Sequence, residues 1–274
     1  MSSGRVLSLM CFPHAGGGMG RFRKWREDPP EGVRLVLPDL PGREGKISDD
    51  PLPDVASAGQ YVLSELAEEI ESSDDLAIAG ISYGALVAYD VAARLEASGK
   101  SVRAIFVASQ RAPATPLPDV NWRSLDDRQL LAELIAMGGL SPDLGDDEEF
   151  IELFLPIIRA ELHASESYLK PATAGRLQCP IFLYHGNEDA AIPVTSTYAW
   201  CAETAHFSMR TLEAAHFLLG PGGEDMWYEA LRKDLALLTS SGAADRIFTG
   251  KEEVSLGRRS GGSGAWRSAT TAST

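Results

Sequence analysis

The sequence predicts an α/β fold, a mostly parallel and buried sheet covered by helices on both faces. Short apolar, β-branched runs recur along the chain: "VLSLMCF" (6–12), "VRLVL" (33–37), "LAIAGI" (76–81), "VRAIFVA" (102–108), "PIFLYHG" (180–186) and "FSMRTLE" (207–213). Segments of helical period lie between several of them, and that alternation is how a covered parallel sheet reads in sequence. With 274 residues, 44% of them hydrophobic, the chain can bury one large core.

Each element follows from its own signals. The first run is too short for a signal peptide and leads directly into a glycine-rich loop, "FPHAGGGMG" (12–20). After the second run, residues 54–72 carry apolar side chains at 55, 58, 62, 66 and 70, one face of a helix. The alanine-rich segment 84–99 ends at Gly99, a residue suited to the position just after a helix. Residues 193–205 open with Pro193 and Thr195, as helices do, and 223–241 opens with acids and carries Arg232 and Lys233 later, a favourable order for the helix dipole.

Two regions break the alternation. Residues 113–172 hold no convincing strand and read as two helices, 124–139 and 146–169. Ser124 is the expected cap of the first, with Asp127 three residues on, and Pro156 is expected to kink the second. This stretch predicts a helical lid inserted between two strands; an ordinary helical cap with its apolar face in the core is the plainer alternative. Residues 240–274, rich in Ser, Gly, Ala and Thr, predict a disordered tail. The expected organisation is one domain over 1–239, with the insertion at 113–172, and the tail over 240–274.

Composition excludes several function classes. A net charge of −14 leaves no basic excess to neutralise phosphates, so no nucleic-acid partner is expected. No run of apolar residues is long enough to span a bilayer. Cys11, Cys179 and Cys201 form no C-x-x-C pair, which suits free thiols in a reducing compartment. A soluble cytoplasmic protein is expected.

The strongest chemical signal is Gly80-Ile81-Ser82-Tyr83-Gly84, a G-x-S-x-G placed between a strand and a helix. A turn that sharp brings backbone close to the serine, which is why small residues flank it, and it lifts the hydroxyl clear of the sheet. Ser82 is therefore the candidate nucleophile; a glycine-spaced turn with a buried serine is the bland alternative. A serine hydroxyl needs a base. With chain order serine, acid, histidine, His14 is disfavoured, and His216 in "LEAAHFLLG" follows the last run where a loop would carry it over the sheet end. His163, His185 and His206 read as structural. Glu188 and Asp189 both follow the fifth run; Asp189 is the preferred carboxylate to orient His216. Asp90, on the serine's own helix, points elsewhere.

The glycine loop lacks the lysine of a Walker phosphate loop, and its Gly16 and Gly18 are followed by Arg21 where a dinucleotide fingerprint needs glycine. An oxyanion hole remains: a backbone N–H held beside the nucleophile by a loop after an early strand. The expected donors are the N–H groups of Ala15 and Tyr83. No metal or cofactor is expected, since no histidine pair has H-E-x-x-H spacing.

"CFPHAGGG", "DLPGRE" (39–44), G-x-S-x-G, "GNED" and "AAHFLL" occur in this order over residues 6–238. Together with "ELFLPIIRAELHASESY" they resemble the type II thioesterases, the stand-alone editing hydrolases of polyketide and nonribosomal peptide synthesis. The resemblance implies an α/β-hydrolase fold and removal of aberrant or stalled acyl groups held as thioesters on the phosphopantetheine arm of a carrier protein. Ser82, Asp189 and His216 match the family's triad. Ile81 stands where the family commonly has His, and Ala214-Ala215 where it has Gly-Gly. Carrier-protein domains are the implied partners, and a monomer is expected. Two other classes remain: an esterase or acyltransferase on free small molecules, and a non-catalytic carrier-binding protein, for which Ile81 is the hint.

Three finer expectations concern the surroundings. Arg43 is expected to pair with Glu44 or another acid. "GRFRKWR" (20–26) offers either a basic patch for a carrier's phosphate or a solvated helix face. Ala136, beside Ile135, is expected to face an acyl chamber.

Overall fold

A computed structural model of the chain describes residues 6–116, 122–220 and 223–239. The tail expected over 240–274 lies outside the described residues. The strands are β1 (Leu7–Phe12), β2 (Val33–Val36), β3 (Asp75–Ile81), β4 (Ile105–Ala108), β5 (Ile181–Gly186) and β6 (Phe207–Leu212). The helices are α1 (Arg23–Glu27), α2 (Val55–Glu65), α3 (Ala67–Ser72), α4 (Tyr83–Ala97), α5 (Asp127–Ala136), α6 (Glu148–Ser167), α7 (Val194–Tyr198) and α8 (Met226–Thr239). The strands form one six-stranded sheet in the order β2-β1-β3-β4-β5-β6, and every neighbouring pair is parallel. Among the described residues no helix is long and apolar enough to cross a membrane.

Alternation along the strands explains the layers. Met10, Ile78, Val107 and Leu183 point into a core closed by α2 and α4, with Val62, Leu86 and Tyr89. Their neighbours Leu9, Ala77, Phe106 and Phe182 point into a second core closed by α1 and α8, with Trp25, Trp227 and Leu231. Both faces are covered over β1, β3, β4 and β5, which read as near-continuous apolar runs, whereas the edge strands β2 and β6 are partly exposed and carry polar residues.

The strand order also places a crevice. The chain runs from β1 outward to β2, then returns past β1 to β3, so the loops after β1 and β3 depart in opposite directions. Ligands bind at such switch points, outside the carboxyl ends of the strands. Phe12 pairs with Gly80. The glycine loop therefore leaves the sheet beside the serine turn.

Several local expectations need correction. The helix expected over 54–72 is divided into α2 and α3 at Leu66, whose φ of −107° and ψ of 21° leave the helical range. No glycine or proline marks that division. The cap of α5 is Asp126, not Ser124. Its carboxylate accepts from Gln129 N–H, and the Gln129 side chain accepts from Asp126 N–H, a reciprocal capping box. Pro156 does lie inside α6, as expected, and on its exposed side. The helix expected over 193–205 is α7 followed by a short 3₁₀ turn. Gly99 does follow α4 with φ +86°, and Lys100 N–H reaches back to Leu95 C=O.

"GRFRKWR" has two faces: Arg23, Lys24 and Arg26 are exposed to solvent, as a solvated helix face is, while its other side is built into the core. Phe22 and Trp25 are fully buried against Trp227 and Tyr228. Arg21 bonds Asp225 at 2.6 Å, and the same carboxylate accepts from Trp25 Nε1 and from Tyr228 N–H at the start of α8. Arg21 is thus spent inside the fold, and Lys24 pairs with Glu229.

Between β4 and β5 the described residues hold α5 and α6 but no strand. These helices share a satellite core of Leu130, Leu134, Leu155, Ile158 and Leu162. The end of α6 is fastened by Arg111, fully buried after β4. Its guanidinium donates to the carbonyls of Ser165 at 2.8 Å, Tyr168 at 2.5 Å and Thr115 at 2.7 Å. Burial lowers its pKa to about 10, so it stays charged at neutral pH. Arg111→Met leaves those carbonyls buried without a donor and is expected to cost about 3–5 kcal/mol in urea unfolding. A loss below about 1 kcal/mol, the net worth of one ordinary hydrogen bond, would mean that α6 is held elsewhere.

Candidate active site

The serine turn is forced by its glycines. Ser82 has φ 54° and ψ −124°, a left-handed backbone rare for a residue with a Cβ. A Cβ on Gly80 would stand 2.1 Å from Gly84 C=O, and one on Gly84 would stand 2.4 Å from the carbonyls of Phe12 and Pro13. No side chain fits at either place. Strand β3, helix α4 and the end of β1 therefore meet in contact, and Ser82 is carried to the helix N-terminus. A serine there usually caps its own helix. Ser82 makes no such bond, and its hydroxyl is free to engage a base.

His216 is the side chain placed beside it. Its Nε2 lies 3.1 Å from Ser82 Oγ, and its Nδ1 lies 3.0 Å from Asp189 Oδ2. Asp189 Oδ1 accepts from the backbone N–H groups of Ala191 and Ile192 at 2.9 and 3.0 Å. Burial of Asp189 works against its ionisation, but the His216 bond and the two backbone donors together hold its pKa below the usual value. The carboxylate is thus anionic, with one oxygen fixed by backbone and the other aimed at the imidazole. Glu188 is exposed beside it. Gly186 permits the meeting of the two loops: a Cβ there would stand 2.3 Å from Ala214 C=O.

The other histidines are placed otherwise. His14 lines the pocket but is pushed down to about pKa 3, first by burial and then by the charges of Arg21, His216 and Arg43, so it is neutral in the working range. His185 is buried on β5, and His163 sits on α6 beside Glu166. Asp90, further along α4, bonds Arg94 and Tyr168.

Ala15 and Ser82 line one pocket, with Trp122, Leu134, Met137 and Leu162 from the inserted region as its apolar wall. Tyr83 N–H is the first of α4, and neither it nor Ala15 N–H has a protein acceptor among the described residues. Ala136, in contrast, is exposed. The residues that line the chamber are Leu134, two before it in α5, and Met137, one after it and just past the helix end.

Sequence reasoning missed Glu161. It is 3% exposed on α6 and paired with Arg43, not with the neighbouring Glu44. A signal was present: Glu161 falls on the buried stripe with Ile158, Leu162 and Ser165 at helical spacing, where an acid needs a partner. Among the described residues no cluster of His, Cys, Asp or Glu could hold a metal ion.

A family model described as "Thioesterase domain" matches residues 8–226. The chain is 32% identical to Thioesterase PikA5 of Streptomyces venezuelae, over 88% of this chain and 84% of that protein. It is 29% identical to Gramicidin S biosynthesis protein GrsT of Aneurinibacillus migulanus, over 87% of this chain and 92% of that protein. Among solved structures, YbtT, a type II thioesterase from the Yersiniabactin NRPS/PKS biosynthetic pathway, superposes with a TM-score of 0.75 at 26% identity, covering 91% of this chain and 96% of that one. The resemblance read from the motifs and the α/β-hydrolase fold it implied are both borne out.

Proposed function

The chain belongs to the thioesterase family and is a serine hydrolase, and we propose that it hydrolyses acyl thioesters from the phosphopantetheine arm of carrier proteins, clearing aberrant or stalled acyl groups in polyketide or nonribosomal peptide synthesis. The observation that carries this reading is the line of contacts from Asp189 through His216 to Ser82, at 3.0 and 3.1 Å, beside a pocket walled by apolar side chains.

In the proposed reaction His216 Nε2 takes the Ser82 proton as Oγ attacks the thioester carbon. The carbonyl oxygen becomes an anion between the N–H groups of Ala15 and Tyr83 at the N-terminus of α4. The carbon–sulfur bond then breaks. A thiol ionises near pKa ~8.5, so the leaving sulfur needs little help, and the imidazolium returns the proton to it. Water, deprotonated by His216, attacks the acyl-serine; the acid departs and Ser82 regains its proton. Ionised Asp189 holds His216 Nδ1–H throughout and stabilises the imidazolium. No cofactor enters. Ile81 is fully buried in β3 beneath the turn, and the three proposed catalytic side chains stand without the family's usual His there. The non-catalytic class therefore finds no support in the site.

The test compares kcat/KM on acyl groups carried by a phosphopantetheinylated carrier protein with the same acyl groups as simple esters. The carrier thioesters are expected to be the faster series; equal rates, or faster free esters, favour an esterase. The chamber wall gives a second expected result. Met137→Trp narrows the pocket and is expected to lower the ratio of long-chain to acetyl rates by about tenfold, the scale at which apolar pockets discriminate. Ala136→Trp, on the exposed side, leaves the ratio as it was. The opposite pattern would place the acyl chain elsewhere.

A further inference from the structure

We infer that the buried Arg43–Glu161 pair is a positioning device that holds the oxyanion loop in its working shape, and that it ties that loop to the helix walling the acyl chamber. The inference rests on the reading of Ala15 N–H as an oxyanion donor.

Residues 14–17 form a tight turn, closed by Gly17 N–H donating to His14 C=O at 2.9 Å. Gly16, third in the turn, has φ +72°, whereas Ala15 does not have positive φ. That combination is a type II turn. The peptide plane makes Ala15 N–H point opposite to His14 C=O, so whatever holds that carbonyl aims the donor. Glycine at positions 16 and 17 does not enforce the shape, because glycine is stable in many conformations. The shape needs external partners, and the pair supplies them. Gly16 N–H donates to Glu161 Oε2 at 2.8 Å. Glu161 Oε1 accepts from Arg43, and the other arm of the same guanidinium donates to Gly17 C=O. One carboxylate and one guanidinium thus fix the amide of Gly16 and the carbonyl of Gly17, the residue whose own N–H holds His14.

Helix α6 adds a steric stop. A Cβ on Gly16 would stand 2.2 Å from Ile158 Cγ1, one turn before Glu161. The loop is therefore read by α6 at two points, and the helix that walls the chamber also sets the oxyanion hole. Both charges are nearly inaccessible, with side chains 5% and 4% exposed. A buried ion pair is weak evidence for stability, since matched apolar replacements are often neutral or better. Its retention here is explained by the two loop contacts it makes.

That property makes the test clean. The double variant Arg43→Leu with Glu161→Leu removes both charges together and is expected to fold with an unchanged or higher melting temperature. Two ligands separate the roles. An acyl trifluoromethyl ketone adds to Ser82 and becomes a tetrahedral oxyanion; the matching pantetheine thioether fills the chamber without reacting. The double variant is expected to lose about 10- to 100-fold in ketone affinity and in kcat, as a small misplacement of a catalytic group does, with thioether affinity and KM unchanged. Glu161→Gln, scored per folded molecule, is expected to shift the same two quantities. Full ketone affinity in the double variant, or a parallel loss of ketone and thioether affinity, would overturn the inference. Ala15→Pro serves as the independent check on the premise, because proline suits the second position of a type II turn but has no N–H. If Ala15→Pro keeps full ketone affinity, the donor assignment itself fails, whatever the clamp variants do.

Discussion

Ser82→Ala is expected to lower thioester turnover by about 10³-fold or more while leaving the fold intact. The hydroxyl makes one contact that matters, the 3.1 Å approach to His216, and it does not cap α4. The turn is imposed by Gly80 and Gly84, whose places admit no side chain, so alanine inherits the same φ. Asp189 still holds His216 from the other side. The melting temperature should move little, and labelling by a serine-directed fluorophosphonate should vanish. Residual labelling at wild-type rate in the variant would remove Ser82 from the reaction.

Asp189→Asn is expected to lower turnover by about 10⁴-fold, through the tautomer and not through the geometry. The asparagine oxygen can still accept from Ala191 and Ile192, but its amide then faces His216 Nδ1 as a donor. The ring answers with its proton on Nε2, toward Ser82, where a lone pair is needed. Glu188→Gln, on an exposed side chain, should be mild. Acid dependence follows the same carboxylate. Its folded pKa lies below the unfolded value of about 3.9, so its contribution to stability is present above that pH and is lost as pH falls through the folded pKa. The Asp189→Asn protein should lack that acid step. A mild Asp189→Asn beside a severe Glu188→Gln would reverse the assignment.

The strands and the proposed triad were legible because each is marked locally. Six runs of strand-like residues, a pair of glycines around a serine, and an acid and a histidine soon after the last two of those runs carry their own signals along the chain. The glycines prove informative for a physical reason: Gly80, Gly84 and Gly186 stand where backbone meets backbone. What escaped was long-range. Arg43 and Glu161 are separated by 118 residues, and nothing near Arg43 distinguishes that acid from Glu44. Arg21 reads as part of a basic surface until Asp225, 204 residues on, is brought beneath it. Ala136 was placed one position off the wall, since helical spacing gives a stripe but not its bearing on a cavity. The break at Leu66 carries no sequence mark at all.

The central claim is that Ser82 accepts an acyl group from a carrier-bound thioester and then surrenders it to water. The most direct measurement mixes the protein with an acyl-phosphopantetheinyl carrier protein, quenches at short times and weighs both partners by mass spectrometry. The account predicts that the carrier loses the acyl mass, that the peptide containing Ser82 gains it transiently, and that Asp189→Asn, slowed in both steps, shows the same site of attachment. A carrier that is deacylated at full rate by Ser82→Ala protein, or an acyl group that settles on any other residue, would contradict it.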